Sequence, residues 1–129
     1  MATPSADTRA RRLALSLAAP GVLHFVTPHF FDAIVPKWMP GKARTTTYAS
    51  GVVELAAAAL VLNPKTRRVG AFVALATFLG VWPANIQSAL DGGMKGAKPP
   101  MDSAAVAWIR VPFQLPMFWS AWKVAQSAK

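Results

Sequence analysis

The sequence predicts an all-α integral membrane protein, an up-down bundle of four transmembrane helices. Hydrophobic residues make up 53% of its 129 residues and charged residues 15%, against roughly 25% charged residues in an ordinary soluble domain. Four apolar stretches each approach the ~20 residues with which a helix crosses ~30 Å of hydrocarbon. The stretches do not alternate between polar and apolar residues, and alanine runs such as residues 56–59 favour helices over strands.

The predicted spans account for most of the chain. They cover residues 13–31, 45–62, 69–90 and 103–124. Together they form one transmembrane domain over residues 13–124, preceded by a basic tail at 1–12 that we expect to be disordered and followed by a tail at 125–129. A cleaved signal peptide is the alternative for the first span. Against it, no small-residue cleavage site leads into a soluble polar chain, and further spans follow.

Positive charge is the second strong feature of the sequence. Lys and Arg number 14 against 5 acidic residues, for a net charge of +9. The charge lies in short clusters between apolar stretches, such as residues 9–12 and 65–68. This pattern favours an anionic membrane surface over nucleic acid, which is bound by basic residues along one face. The tails and second loop hold eight Lys and Arg and the other two loops five. We therefore expect cytoplasmic termini and a multi-pass protein of the inner (plasma) membrane.

Each predicted span carries a residue that is costly to place in lipid, and two further polar residues share the same helix faces. The candidates for a ligand site or polar cluster are His24, Ser50, Glu54, Asn85, Arg110 and Gln114. The first and third loops lie on one side of the membrane. At about 1.5 Å of rise per residue, the four residues His24, Glu54, Asn85 and Arg110 then lie roughly 8–14 Å below that surface. Their common depth predicts that they meet inside the bundle.

Two interpretations of this cluster stay open. In the first it is a structural clamp, in which Glu54 and Arg110 pair as oppositely charged groups. In the second it is a polar pocket, open to the outer surface, for a small molecule or a quinone-like head group. Pro28, Pro83 and Pro112 each leave a backbone carbonyl at this depth without its helical hydrogen bond. Such a carbonyl must be satisfied inside the bundle or at a cavity, so it is compatible with both interpretations. Cysteine is absent and the cluster holds one histidine and one glutamate, so we predict no metal site and no catalytic residue.

Five short segments carry a family resemblance. They are residues 21–25 (GVLHF), 34–36 (IVP), 48–54 (YASGVVE), 83–86 (PANI) and 110–114 (RVPFQ). In this order, and spread over nearly the whole chain, they resemble the DoxX-like family of small bacterial four-helix membrane proteins. The resemblance implies a four-helix bundle in the bacterial inner membrane. Some of these relatives are associated with thiosulfate:quinone oxidoreduction and others with partner proteins in oxidative-stress defence. No residue role is carried over from them.

The function expected from these features is that of a non-catalytic subunit or accessory protein of a membrane complex, without a cofactor of its own. Its expected partners are the lipid bilayer and either another membrane protein or a second copy of the chain; nucleic acid is not expected. One alternative is a quinone-linked redox component, with quinone as cofactor. A second alternative is a small-solute carrier that acts as an oligomer.

Overall fold

The computed structural model describes residues 5–33, 35, 37–93 and 103–128, and its regular structure is entirely helical over these ranges. The helices are α1 (Ala6–Val26), α2 (Pro28–Asp32), α3 (Ala43–Leu62), α4 (Arg67–Leu90), α5 (Ala104–Phe113) and α6 (Leu115–Ser127). The predicted all-α class is therefore confirmed. Residues 34 and 36, from the segment 34–36, lie outside the described residues, as do the lysines between residues 94 and 102.

The ends of the chain are more helical than the sequence predicts. Helix α1 begins at Ala6, so the prediction of a disordered tail over residues 1–12 is wrong from residue 6 onward. The hydroxyl of Ser5 accepts a hydrogen bond from the Thr8 amide at 3.1 Å and caps the helix. Ala10 is fully buried in the core, which holds this first part of α1 in place. At the other end α6 continues to Ser127, and residues 1–4 and 129 lie outside the described residues.

The first and fourth predicted spans are each divided into two helices. α1 ends just before Pro28, whose missing amide cannot extend the ladder of helical hydrogen bonds. α5 and α6 are separated at Gln114, two residues before Pro116. Close to this second break the carbonyl of Val111 accepts a hydrogen bond at 2.9 Å from the indole Nε1 of Trp82 on α4. A side chain from a neighbouring helix thus satisfies a carbonyl beside an interrupted helix.

The helices pack in a ring around a core of small side chains. α1 lies against α3 and α6, and α4 lies against α3, α5 and α6, while the short α2 lies against the start of α3. The largest fully buried side chains are only leucine, valine and threonine. Most of the core is alanine: Ala10, Ala14, Ala57, Ala58, Ala71, Ala74, Ala121 and Ala125. Two of the helices, α3 and α4, are long and apolar enough to cross a membrane.

Candidate functional site

A cavity of about 600 Å³ lies in the half of the bundle that contains α2, α5 and the facing halves of α3 and α4. All six candidates from the sequence line it: His24, Ser50, Glu54, Asn85, Arg110 and Gln114. Apolar side chains complete the wall, among them Phe31, Val53 and Phe78. The structure thus brings together around one cavity the residues that the sequence predicts to meet inside the bundle.

Glu54 lies against His24 on the neighbouring helix. Its Oε2 is 3.6 Å from His24 Nδ1, and both side chains are nearly buried, with exposures of 10% and 8%. His24 Nδ1 is 2.6 Å from the carbonyl oxygen of Pro20. Because a carbonyl only accepts, Nδ1 carries the hydrogen, and Nε2 of the neutral ring is an acceptor. The imidazole also stacks on Phe31, with ring centroids 3.7 Å apart.

The direct pairing of Glu54 with Arg110 predicted from the sequence is not found in the structure. Among the described residues, the imidazole of His24 is the basic side chain that contacts Glu54, with 3.6 Å between Nδ1 and Oε2. The guanidinium carbon of Arg110 lies 5.6 Å from the centre of the Phe30 ring, in cation–π geometry. Arg110 and Glu54 still line the same cavity. The arginine therefore joins α5 to α2, and the glutamate joins α3 to α1.

Two glycines explain why His24 and Glu54 lie so close together. A Cβ on Gly51 would lie 2.8 Å from the Cβ of His24 and 3.2 Å from the carbonyl oxygen of Gly21. A Cβ on Gly21 would lie 3.4 Å from the Cβ of Glu54. Without a side chain at either position, α1 and α3 approach closely, as small residues allow in membrane helix pairs. The two glycines thus permit the contact between His24 and Glu54.

The opposite wall of the cavity is held by an amide–amide hydrogen bond. Asn85 Nδ2 donates to Gln114 Oε1 at 2.8 Å, and both side chains are buried. Asn85 Oδ1 and Glu54 Oε2 are buried and accept no hydrogen bond from the residues that the structure describes. A closed clamp would pair its polar atoms internally, since each unpaired buried group costs free energy. This cluster is thus only partly satisfied by its own members.

Hydrogen bonds from the start of α3 hold the short helix α2 across one end of the cavity, which we call the outer end. Asp32 accepts a hydrogen bond from Arg44 Nε at 2.9 Å and another from the hydroxyl of Thr47 at 2.6 Å. Burial alone would raise the pKa of Asp32, but the hydrogen bonds from Thr47 and Arg44 and the charge of Arg44 outweigh it and hold the pKa below its usual range. Arg44 also reaches His29 Nδ1, at 3.2 Å. These contacts keep Phe31 stacked on His24.

Several residues of the site carry no distinct signal in the sequence. Thr46, Thr47 and Thr77 add hydroxyls to the cavity wall, but an isolated threonine in an apolar helix is too common to mark a site. Trp82 reads as an interfacial anchor, whereas its indole donates to a carbonyl of α5. The sequence feature nearest to the break between α5 and α6 is Pro116, which lies four residues after Pro112 and also lacks an amide hydrogen.

The described residues contain no group of three or more His, Asp or Glu side chains placed to hold a metal ion. The comparisons with known proteins give one result. A family model described as "Domain of unknown function (DUF8561)" matches residues 13–125. Comparison with curated proteins and with solved structures gives no match.

Proposed function

The chain belongs to the DUF8561 family of domains of unknown function, and we propose that it is a four-span membrane protein that binds a small amphipathic molecule in its polar cavity. In this role it is a non-catalytic accessory protein of the membrane. The resemblance to DoxX-like proteins stays a prediction and is consistent with this architecture.

The distribution of large and small side chains supports the membrane part of the proposal. The buried core is mostly alanine, whereas twenty large hydrophobic residues in the described part of the chain are exposed, including Leu15 at 69%, Ile109 at 63% and Phe113 at 71%. A soluble domain rarely exposes large apolar patches. Membrane helices pack through small residues and present large apolar ones to lipid. This inverted arrangement supports a bilayer around the bundle.

The proposed topology takes four crossings: α1 with α2 as far as Phe31, α3, α4, and α5 with α6. Asp32 then begins the loop between the first two crossings. Because the tails and the second loop carry the larger number of Lys and Arg residues, we place them in the cytoplasm. Reporter fusions after Gly41 and Gly96 are then expected in the periplasm and a fusion after Lys129 in the cytoplasm. The opposite pattern would show an inverted orientation, and a cytoplasmic signal at all three would contradict four crossings.

The observation that carries the binding proposal is the cavity itself. Its volume of about 600 Å³ lies within the roughly 300–1,000 Å³ of small-molecule pockets. Its wall combines aromatic and aliphatic groups with a carboxylate, a guanidinium, an imidazole and two amides. Mostly apolar surface with a few convergent polar groups is the chemistry that holds an amphipathic ligand by its head group.

Purification in mild detergent, followed by mass spectrometry of extracted lipophilic molecules and of co-purifying proteins, tests the proposal. We expect one small amphipathic molecule in near-stoichiometric amount. The variant Ser50→Trp, which fills the cavity, should lose it. The matched variant Ala59→Trp, on an exposed part of α3 away from the cavity, should retain it. Equal retention by both variants, or a wild-type protein without any bound molecule, would contradict the proposal.

The same experiment distinguishes the alternative roles. A quinone as the bound molecule would favour the quinone-linked redox component. A stoichiometric protein partner would favour the accessory role in a complex. A polar solute together with a dimer of the chain would favour the carrier. The mixed wall of the cavity, which offers hydrogen-bonding groups next to Phe31 and Phe78, is suited to the ring of a quinone-like head group.

A further inference from the structure

Helices α3 and α4 are tightly packed at the turn that joins them. A Cβ on Gly70 would lie 2.6 Å from the backbone nitrogen of Val61 and 2.8 Å from the Cβ of Leu60. Three turns further along α4, Gly80 is exposed, and a Cβ there would meet no atom within 4 Å. Gly80 also lines the cavity, so the tight contact and the cavity lie at different parts of this helix pair.

The cavity reaches the side of the bundle between α3 and α4. Its wall includes exposed residues of both helices: Ala49 and Val53 on α3 and Gly80 on α4. The side chains next to these positions are large, apolar and exposed, with Val52 at 58% and Leu79 at 54%. On two helices that are apolar enough to cross a membrane, such a surface faces acyl chains. The rim of the cleft is therefore lipid-facing and apolar.

Polarity changes from the rim to the interior of the cleft. The outer positions are alanine, valine and glycine, whereas Glu54 and Asn85 lie innermost with exposures of 8% and 3%. A molecule that fits this gradient has a small hydrogen-bonding head and an apolar chain. With its head among the buried polar groups, its chain would leave between α3 and α4, where apolar atoms remain in an apolar surrounding.

We propose that the cleft between α3 and α4 is a lateral portal, through which a chain-bearing amphiphile enters the cavity directly from the bilayer. This inference rests on the proposed function and specifies its ligand class: a lipid-phase molecule with a polar head that both donates and accepts hydrogen bonds. A water-soluble solute would instead come through the outer end, beside α2.

Two photoreactive amides that share one head group test the portal. Both carry a diazirine next to a primary amide; one bears a dodecyl chain and the other an ethyl group. Full-length protein in phospholipid nanodiscs is irradiated with each, and the labelled residues are mapped by mass spectrometry. The dodecyl amide should label cavity residues about tenfold more than the ethyl amide at equal total concentration, because its chain concentrates it in the bilayer.

A matched pair of variants locates the path. Gly80→Trp places an indole in the open space at the rim, whereas Ala76→Trp places one on the same helix a turn nearer the closed end, at an exposed position off the cavity wall. We expect Gly80→Trp to slow labelling by the dodecyl amide about tenfold, within the one to three decades over which association rates vary among variants of one site. Ala76→Trp should label at the wild-type rate.

The outcomes separate the portal from the binding site itself. Equal labelling of the cavity by both amides, unaffected by Gly80→Trp, would overturn the portal and leave the proposed function in place. Absence of cavity labelling by either amide would overturn both. Slowing by Ala76→Trp to the same extent as by Gly80→Trp would show a general effect of a surface indole and would also overturn the portal.

Discussion

The two halves of this bundle are built from similar helices and pack differently. In the half that contains the α3–α4 turn, α1, α3, α4 and α6 meet through alanines such as Ala57, Ala71 and Ala121, each fully buried. In the other half the same helices, with α2 and α5, surround a cavity whose polar groups include two buried oxygens that accept no hydrogen bond from the described residues. The first half holds the bundle together, and the second keeps an open, chemically mixed space.

The difference shows how one packing rule gives both a core and a cavity. Small side chains let helices touch, as α3 and α4 do at Gly70. The cavity is lined by the other halves of the same two helices, where the polar residues lie. One helix pair thus supplies a tight contact in one half and a cavity wall in the other.

The largest expected effect comes from adding one methyl group to the closed half. A Cβ on Gly70 would lie 2.6 Å from the backbone nitrogen of Val61, which cannot move without shifting the turn. We expect Gly70→Ala to destabilise the protein by at least the upper end of the about 1–3 kcal/mol typical of overpacking. Gly80→Ala, which meets no atom within 4 Å, should stabilise α4 by up to about 1 kcal/mol.

Denaturant unfolding of both variants in detergent checks this contrast. The wild-type protein provides the reference for each variant. If Gly70→Ala and Gly80→Ala shift the unfolding free energy in the same direction by similar amounts, then the two halves do not differ in packing as described.

A second, smaller effect concerns the energetic coupling of Glu54 with its two basic neighbours in the cavity. Because Glu54 lies 3.6 Å from His24 Nδ1, a double-mutant cycle with Glu54→Gln and His24→Gln should give a coupling free energy within the about 0.5–3 kcal/mol seen for residues in contact. The cycle that combines Glu54→Gln with Arg110→Met should give a smaller one. Measurement of unfolding free energies for all five variants tests the order, and a larger coupling for the arginine cycle would reverse our assignment of partners.

The sequence predicts the depth of the site better than its internal pairing. Depth follows from helix rise and from the alternation of loops between two membrane faces, and it correctly collects residues from four predicted spans around one cavity. Pairing depends on which helices are neighbours and how closely they approach. Gly21 and Gly51 bring His24 to Glu54, and a single sequence does not show that these two glycines face each other.

The sequence also does not show which prolines interrupt a helix or that a cleft opens between α3 and α4. Prolines predict a lost hydrogen bond, but Pro83 lies within a continuous α4 while Pro28 begins a new helix. The two cases differ in what surrounds the chain, including the contacts of Asp32 that fix α2. The tight contact at Gly70 and the open space at Gly80 depend on what packs against α4 at each position, and composition alone does not show this.

A third and smaller effect should appear at the outer end of the cavity. The pKa of Asp32 is held below its usual range, so its interactions stabilise the folded state above the unfolded pKa of 3.8 and are lost as the pH falls through the lower folded value. Asp32→Asn should therefore lower the thermal midpoint at pH 7, and this difference should shrink as the pH falls below about 4 and disappear below the lower folded pKa. The partly exposed pair predicts a modest shift. An Asp32→Asn deficit that persists unchanged in acid would contradict the role given to this carboxylate.

Cysteine labelling measures most directly whether the polar half is open and the other half closed. The chain has no cysteine, so Ser50→Cys and Leu60→Cys can each be introduced without background. Ser50 lines the cavity, and Leu60 lies at the tight contact with Gly70. With a small neutral maleimide that crosses membranes, we predict rapid labelling of Ser50→Cys in the folded protein and little labelling of Leu60→Cys until it is denatured. A Ser50→Cys variant that stays unlabelled when folded but labels fully after denaturation would contradict the open cavity and favour a closed structural clamp.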